Sequence, residues 1–581
     1  MQETQKPYRE LTVAAVVLGV IVGALMCASF VYISLKLGTG LGGSTVAAII
    51  GFAVLRYMLG KGTIVENNIN QTVASSVNMA SSGVAFTLPA LFLMSLNDPS
   101  LGDIDPMPFL LAAMAGSFLG IVVIIPLRKQ MIEFERLRFP TGIAVASLLK
   151  SPGAGLRQAK LLVAGFAVAA LFTLLGEFKL VPTEIDPGTW FGIPAHIPVI
   201  IALSFANFGA GLLSGRGGLP FVAGGVLAWW LISPAAVSLG WLPDLGVDGA
   251  GDYQLEVLYL QMLRPLGIGM LVGGALMGVV MSFPALKAAL VGLSAAVHSR
   301  GVGSGEVETE SEELSGRVLA FGLGAAVLVL FSASLLAAGD VSVLQAVLIA
   351  VVGTIWLALA GLVVSQATGM TDISPMSGMA LIGVTLMFFL TAGNVAASVM
   401  LGVAVCVGIG QCADMMQDLK TGHLVGSRPK RQQLIQFGVA WLGAPVAIGT
   451  VFLLWSSGDG GSGGFGPGTD LSAPQAGALQ AILEGLGRGD VPLDKYAAGT
   501  ALGSALGLLP IGGVGVLVGL AMYLPFSITL GYGIGCVASM GLVKRYGKRW
   551  YASSLVPVAA GFIVGEALMS LGITLVRLAG A

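Results

Sequence analysis

Residues 11–35 read LTVAAVVLGVIVGALMCASFVYISL, an uninterrupted run of 25 positions without a charge. At about 1.5 Å per residue a helix of that length measures roughly 37 Å, enough to cross a hydrocarbon layer about 30 Å thick. Leu161–Leu175, Val318–Ala338 and Ser342–Val364 are further apolar runs of the same character. Hydrophobic residues make up 55% of the 581 and charged residues 10%, whereas soluble domains carry about a quarter charged residues. The chain therefore reads as an all-α, polytopic transmembrane helical bundle. Helical spans exclude an outer-membrane barrel.

The 85 glycines, many inside apolar runs, suit close helix packing and interrupted helices. A net charge of −1 gives nothing that points to nucleic acid. Cys27, Cys406, Cys412 and Cys536 form no CxxC pair, so they read as core residues rather than as a disulfide frame or zinc site. The N-terminal MQETQKPYRE precedes the first apolar run without a small-residue cleavage site, and the first helix is expected to stay as an anchor.

Basic loops set an orientation. Arg56 and Lys61, then Arg128, Lys129, Arg136 and Arg138, then Arg216, and finally Lys287, Arg300 and Arg317 fall in loops that alternate with Asn97–Asp105, Pro182–Pro194 and Gly240–Asp252, which lack Lys and Arg. This predicts eight crossings in the first half, with the N-terminus and the mid-chain linker cytoplasmic. The linker, SRGVGSGEVETESEELSG over 299–316, is the long polar interruption near the middle. It separates an N-terminal transmembrane half, 1–298, from a C-terminal half, 317–581. Leu219-Pro220 and Leu509-Pro510 lie 290 apart, Gly273–Met277 and Gly565–Met569 292 apart, and Thr141-Gly142 and Thr421-Gly422 280 apart. These matches predict two repeated halves. Short segments after Asp494 and the basic cluster Lys544, Arg545, Lys548 and Arg549 give an expected total of about 14 to 16 spans, some of them broken or re-entrant.

Four polar groupings interrupt the apolar pattern. In GQCADMMQDLKTGHLVGSRPKR, 410–431, Gln411, Asp414, Gln417 and Asp418 recur three, four or seven apart and share one helical face. Such a face at a span end is either a functional site or a solvated helix end. In ENNINQTVASSVNMASSGVAFT, 66–87, Asn67, Asn70, Gln71, Ser75, Asn78 and Ser82 draw a polar stripe along a span. Amides cannot face lipid unpaired, so the stripe lines a substrate path or joins helices. Gly83 and Pro89 offer it a break point. In QATGMTDISPMS, 366–377, Asp372 sits beside Pro375, as unwound backbone at a midplane site or as a cytoplasmic turn. Glu566 stands in GFIVGEALMSLG with no other charge between Arg549 and Arg577; a mid-span carboxylate is inert when protonated or else a proton relay.

Enzyme signatures are missing. There is no GxxxxGK[ST] segment, and His196, His298 and His423 form no HExxH. Residues 460–464 spell GxSxG inside a glycine loop with no strand before it, a chance match.

The segment Asp414-Met-Met-Gln417-Asp418-Leu-Lys420-Thr421-Gly422-His423 resembles the D-x-x-Q-D-x-K-T-G-Y motif of the yellow-stripe-like branch of the oligopeptide transporter family, with His423 at the aromatic position. Glu66-Asn67-Asn68 with Gln71-Thr72, Phe139-Pro140-Thr141-Gly142, Tyr523-Leu524-Pro525-Phe526 and Gly565-Glu566 are similar to further family segments, so the resemblance covers nearly the whole chain. It implies secondary active uptake, with proton cotransport, of small oligopeptides or amino-acid-derived metal chelates across a plasma (bacterial inner) membrane. On this reading Glu66, Asn67, Asn70, Gln71, Ser75, Asn78, Asp372, Gln411 and Gln417 line the path, and Asp414, Asp418 and Glu566 carry protons. Asp414 and Asp418, one turn apart, repel each other unless Lys420 cancels the effect. No cofactor or resident metal is expected; the partners are substrate, protons and membrane lipid, with a homodimer as a further expectation. A uniporter or channel without proton coupling is the alternative.

Overall fold

The computed structural model describes residues 10–580 except 39, 41–42, 61, 99–100, 102–103, 151–153, 195, 242–254, 275, 279, 282–312, 338–340, 372–373, 375, 459–462, 489–491 and 510–513. The expected linker, 299–316, thus lies almost wholly outside the described residues. Among the described residues the architecture is helical, with one two-residue antiparallel pairing, Glu184–Ile185 with Ile201–Ala202.

Eleven described helices are long and apolar enough to cross a membrane, below the 14 to 16 expected. One of these stretches, Phe526–Ala579, runs for 54 residues, which is long enough for two crossings. Four shorter apolar helices, Ser44–Arg56, Pro140–Leu149, Gly378–Leu390 and Val514–Tyr523, accompany them. The second of the eight crossings expected in the first half is one of these short helices.

Helix α1, Val13–Leu37, opens on Thr12, whose hydroxyl accepts from Ala15 N, and closes on Gly38 at φ 66°, the left-handed conformation that glycine adopts without a Cβ penalty. Next in the chain is α2, Ser44–Gly51, which continues through a wider helical turn over Phe52–Met58. Then α3, Ile64–Asn78, starts with a capping box between Thr63 and Glu66, and α4, Ala80–Ser95, continues it. The combined span Ile64–Ser95 runs 32 residues. Pro89 lies inside α4 without ending it, so the break expected at Gly83 and Pro89 does not form. Thr12 donates to Glu66, and Gly19 and Gly23 lie against Val73 and Val77. Helices α1 and α3 are therefore parallel. Ser44 meets Ser75, while Asn70 and Asn67 bond the carbonyls of Ala47 and Ala48, so α2 runs back along α3 and begins beside its C-terminal end.

The chain continues through α5, Pro106–Ile124, α6, Pro140–Leu149, and α7, Phe205–Ser214. The pattern long, short, long then recurs as α8, Val343–Thr371, α9, Met376–Leu390, and α10, Val395–Val425, each starting 330 to 332 positions after α1, α2 and α3. This spacing differs from the 280 to 292 of the short sequence matches. Gly353 and Gly361 lie on Leu401 and Cys412, making α8 parallel to α10; Gly402 lies on Val384 and Gly410 on Met376, making α9 antiparallel to it.

The two three-helix units are themselves opposed. Gln71 meets Asp418, Ser75 meets Asp414, Ser76 meets Gln411 and Gly83 meets Val407, so α3–α4 and α10 cross antiparallel. The starts of both short helices reach this crossing: Gly40, just before α2, lies against Ser82 and Met376, and Gly410 lies against Met79 and Met376. Helix α5 closes one side of α10, with Gly116 against the Ala404 carbonyl and Gly120 against that of Gly408. Missing side chains allow this approach of backbones, the usual basis of helix association in lipid.

Candidate functional site

Where α3 and α10 cross, the polar stripe and the carboxylate face meet. Asp418 is fully buried and Asp414 is 7% exposed. Asp418 accepts hydrogen bonds from Gln71 Nε2, from Gln436 Nε2 at 3.0 Å and from Ser44 Oγ at 3.5 Å. Ser75 Oγ lies 2.7 Å from both oxygens of Asp414 and 2.9 Å from Ser44 Oγ. Asp414, Ser75, Ser44 and Asp418 thus form one chain of oxygens across α10, α3 and α2. Lys420 forms an ion pair with neither carboxylate; its stem packs beside Gly142 of α6. Two residues along a helix is roughly 200° of rotation, which carries it to another face.

A fourth helix completes the layer. Helix α11, Pro429–Val439, follows Gly426, whose φ of 83° ends α10, and it folds back so that Gln432 and Gln436 reach inward. Gln432 Nε2 donates to Thr72 Oγ1 at 3.0 Å and to the Asp418 carbonyl at 3.1 Å. Asn68 Nδ2 donates to Ser427 Oγ at 3.0 Å, and Gln411 Nε2 to the Ser76 carbonyl at 2.8 Å. The acceptor side is different. The side-chain oxygens of Asn67, Asn68, Asn70, Gln71, Gln411, Gln432 and Gln436 are buried and find no hydrogen-bond partner among the described residues. Burying an amide oxygen unpaired costs about 1–3 kcal/mol, so a layer holding seven of them carries a cost in stability.

The other expected positions divide. Asn67 and Asn70 hold α2 through its carbonyls; Asn78 adjoins Gly43 ahead of α2; Glu66 caps α3 and binds Thr12. Gln417 is half-buried, with its carbonyl accepting from Thr421 Oγ1. Asp372 lies outside the described residues.

Glu566 is not isolated. On α12, here Val556–Gly580, it binds Lys36 Nζ at 2.7 Å, accepts from Ser204 Oγ at 2.8 Å and from Ala206 N at 2.9 Å, at the N-terminus of α7. The side chains of Lys36 and Glu566 are 13% and 7% exposed. This buried ion pair ties the first membrane helix to the last.

Sequence reasoning missed Ser44, Gln432, Gln436 and Lys36. Ser44 hides in a glycine run. Gln432 and Gln436 follow a basic loop and look solvated. Lys36 ends the first apolar run, where a cation reads as an interfacial anchor.

The family model described as OPT oligopeptide transporter protein matches residues 10–577. A protein of Haemophilus influenzae named as an oligopeptide transporter is 28% identical over 605 residues, covering 93% of this chain and 91% of its own. The metal-nicotianamine transporter YSL2 of Arabidopsis thaliana is 25% identical over 656 residues, covering 99% and 94%.

Proposed function

Because the chain belongs to the OPT oligopeptide transporter family, we propose that it carries small oligopeptides or metal–nicotianamine chelates across the membrane by proton-coupled alternating access. The observation that carries this reading is the Asp414–Ser75–Ser44–Asp418 chain. It bridges the two opposed three-helix units at their crossing, where alternating access must open and close a seam. Two buried carboxylates with no described cation paired to them are costly as a doubly charged pair. A proton taken up there relieves the repulsion, and the two hydroxyls give it a path between the carboxylates. Moving that proton changes which oxygens accept from Gln71 and Gln436, and so changes the bonds that hold α3 to α10 and α11.

The unpartnered amide oxygens in the same layer supply acceptors for the N–H groups of a peptide or an amino-acid chelator. Glu66, Asn67, Asn70, Gln71, Ser75, Asn78, Gln411 and Gln417 remain assigned to the substrate path, and Asp372 with them. Glu566 is retained as a further candidate for proton coupling, its ion pair with Lys36 joining α12 to α1. The basic residues Arg428 and Arg431 lie on Glu10, with Arg431 Nη1 3.1 Å from its carboxylate; by the positive-inside rule they support a cytoplasmic side for this end of the bundle, in a plasma (bacterial inner) membrane on this reading.

The test uses protein in liposomes that enclose a pH-sensitive dye, with di- to hexapeptides and nickel–nicotianamine supplied outside. Substrate-dependent acidification is expected, and the active class identifies the cargo. In Asp414→Asn and Asp418→Asn the acidification should disappear while exchange of labelled for unlabelled substrate persists. Uptake that stays gradient-driven in both variants refutes the proton assignment, and passive uptake by the wild type without acidification makes the protein a uniporter or channel.

A further inference from the structure

Arg264 lies in the apolar span Tyr259–Gly278, half-buried, and no described carboxylate pairs with it. A guanidinium at membrane depth is normally matched by an acid, because the uncompensated charge is expensive. Here its surroundings are aromatic. The guanidinium stands 5.7 Å from the ring centroid of Tyr523, and Tyr259 packs edge-on to Tyr523 at 6.3 Å and donates its hydroxyl to the Tyr523 carbonyl at 2.8 Å. The Tyr523 hydroxyl is fully buried and interacts with the Arg264 guanidinium and the Tyr259 hydroxyl without reaching ordinary hydrogen-bond geometry, and Arg264 Nε has no hydrogen-bond partner among the described residues.

The nearest route to an acid is indirect. Arg264 Nη2 donates at 3.4 Å to Gln480 Oε1, and Gln480 Nε2 donates at 3.0 Å to Glu484. Gln480 therefore stands between the guanidinium and Glu484, leaving the charge available. Gln480 also donates to the Leu93 carbonyl, near the end of α4, whereas Gln71 and Ser75 lie on α3. At 1.5 Å per residue that separation is roughly 30 Å along the span, so this cluster occupies the opposite end of the bundle from the two aspartates.

We propose that Arg264 and the Tyr523 hydroxyl form a receptor for a carboxylate of the transported solute at the membrane face away from Asp414 and Asp418. A planar guanidinium offers two parallel N–H donors to the two oxygens of a carboxylate, and the buried hydroxyl adds a third. Cation–π contact with Tyr523 keeps the guanidinium in place between substrates. Both candidate cargoes carry the required group, the C-terminus of a peptide and the carboxylates of a chelator. The identity of the solute rests on the transport reading above; the site itself does not.

The experiment measures equilibrium binding to the full-length protein in lipid nanodiscs, using labelled alanyl-alanine, its C-terminal amide and nickel–nicotianamine. In parallel, modification of Arg264 by phenylglyoxal is followed by mass spectrometry with and without each probe. Wild type should prefer the free acid over the amide by at least tenfold, and a carboxylate probe should protect Arg264. Arg264→Gln should reduce that preference to within twofold, Arg264→Lys should keep part of it, and Tyr523→Phe should weaken acid binding severalfold without affecting the amide. A wild type that binds acid and amide equally, an Arg264→Gln variant that keeps the preference, or a failure of every probe to bind and protect overturns the assignment. Protection of Arg264 without uptake in liposomes sustains the site and sinks the transport reading. Uptake with an unchanged preference in Arg264→Gln does the reverse.

Discussion

Neutralising one partner of the Lys36–Glu566 pair should be costly, and unequally so. With side-chain exposures of 13% and 7%, the pair is in the regime where removing one charge leaves the other buried and unmatched, at about 3–5 kcal/mol. The neighbours tilt this. In Lys36→Met, Glu566 keeps the Ser204 hydroxyl and the Ala206 N–H at the start of α7, and a helix N-terminus favours an anion by about 0.3–1 kcal/mol. In Glu566→Gln, Lys36 keeps, among the described acids, Asp470 within electrostatic reach, together with the Tyr32 ring at 5.7 Å. We expect Glu566→Gln to cost about 3 kcal/mol and Lys36→Met about half as much. The double variant should cost less than the sum of the single ones, by about 1–3 kcal/mol, since it removes both charges. Equilibrium unfolding of the four proteins in mixed micelles, as a double-mutant cycle, reads these values directly. Single-variant losses below about 0.5 kcal/mol with additive behaviour would show a solvated pair of the surface kind, and the reasoning would fail.

Two further outcomes follow from the packing. Gly116→Val places side-chain atoms against the Ala404 carbonyl, which neither helix can yield without separating, so α5 should lose its seat on α10 and the yield of monodisperse protein should fall at least severalfold; near-normal yield and thermal stability would contradict that close approach. Cys27, Cys406, Cys412 and Cys536 are all unpaired and fully buried; a maleimide should label none of the four within minutes in mild detergent and all four in SDS, and rapid native labelling at Cys406 or Cys412 would show that α10 is open to water.

Membership of the bundle class, the polar stripe and the carboxylate face were legible because each is a local property: hydrophobic length and helical period are set by residues within a few turns. The same locality explains the errors. Glu566 looked solitary because its partner Lys36 is 530 positions away, and Arg264 drew no attention because a missing counter-charge is visible only once the neighbours are known. Pro89 suggested a break, yet packing inside the bundle retains the helix through it. Which oxygens meet Ser75 and Gln71, 339 and 347 positions from their aspartates, was decided by the antiparallel crossing of α3 and α10. Composition and periodicity can place a carboxylate on the face of a helix. Only the close approach of backbones, permitted where glycine removes the side chain, selects the opposing helix and its register, and with them the groups that the carboxylate meets.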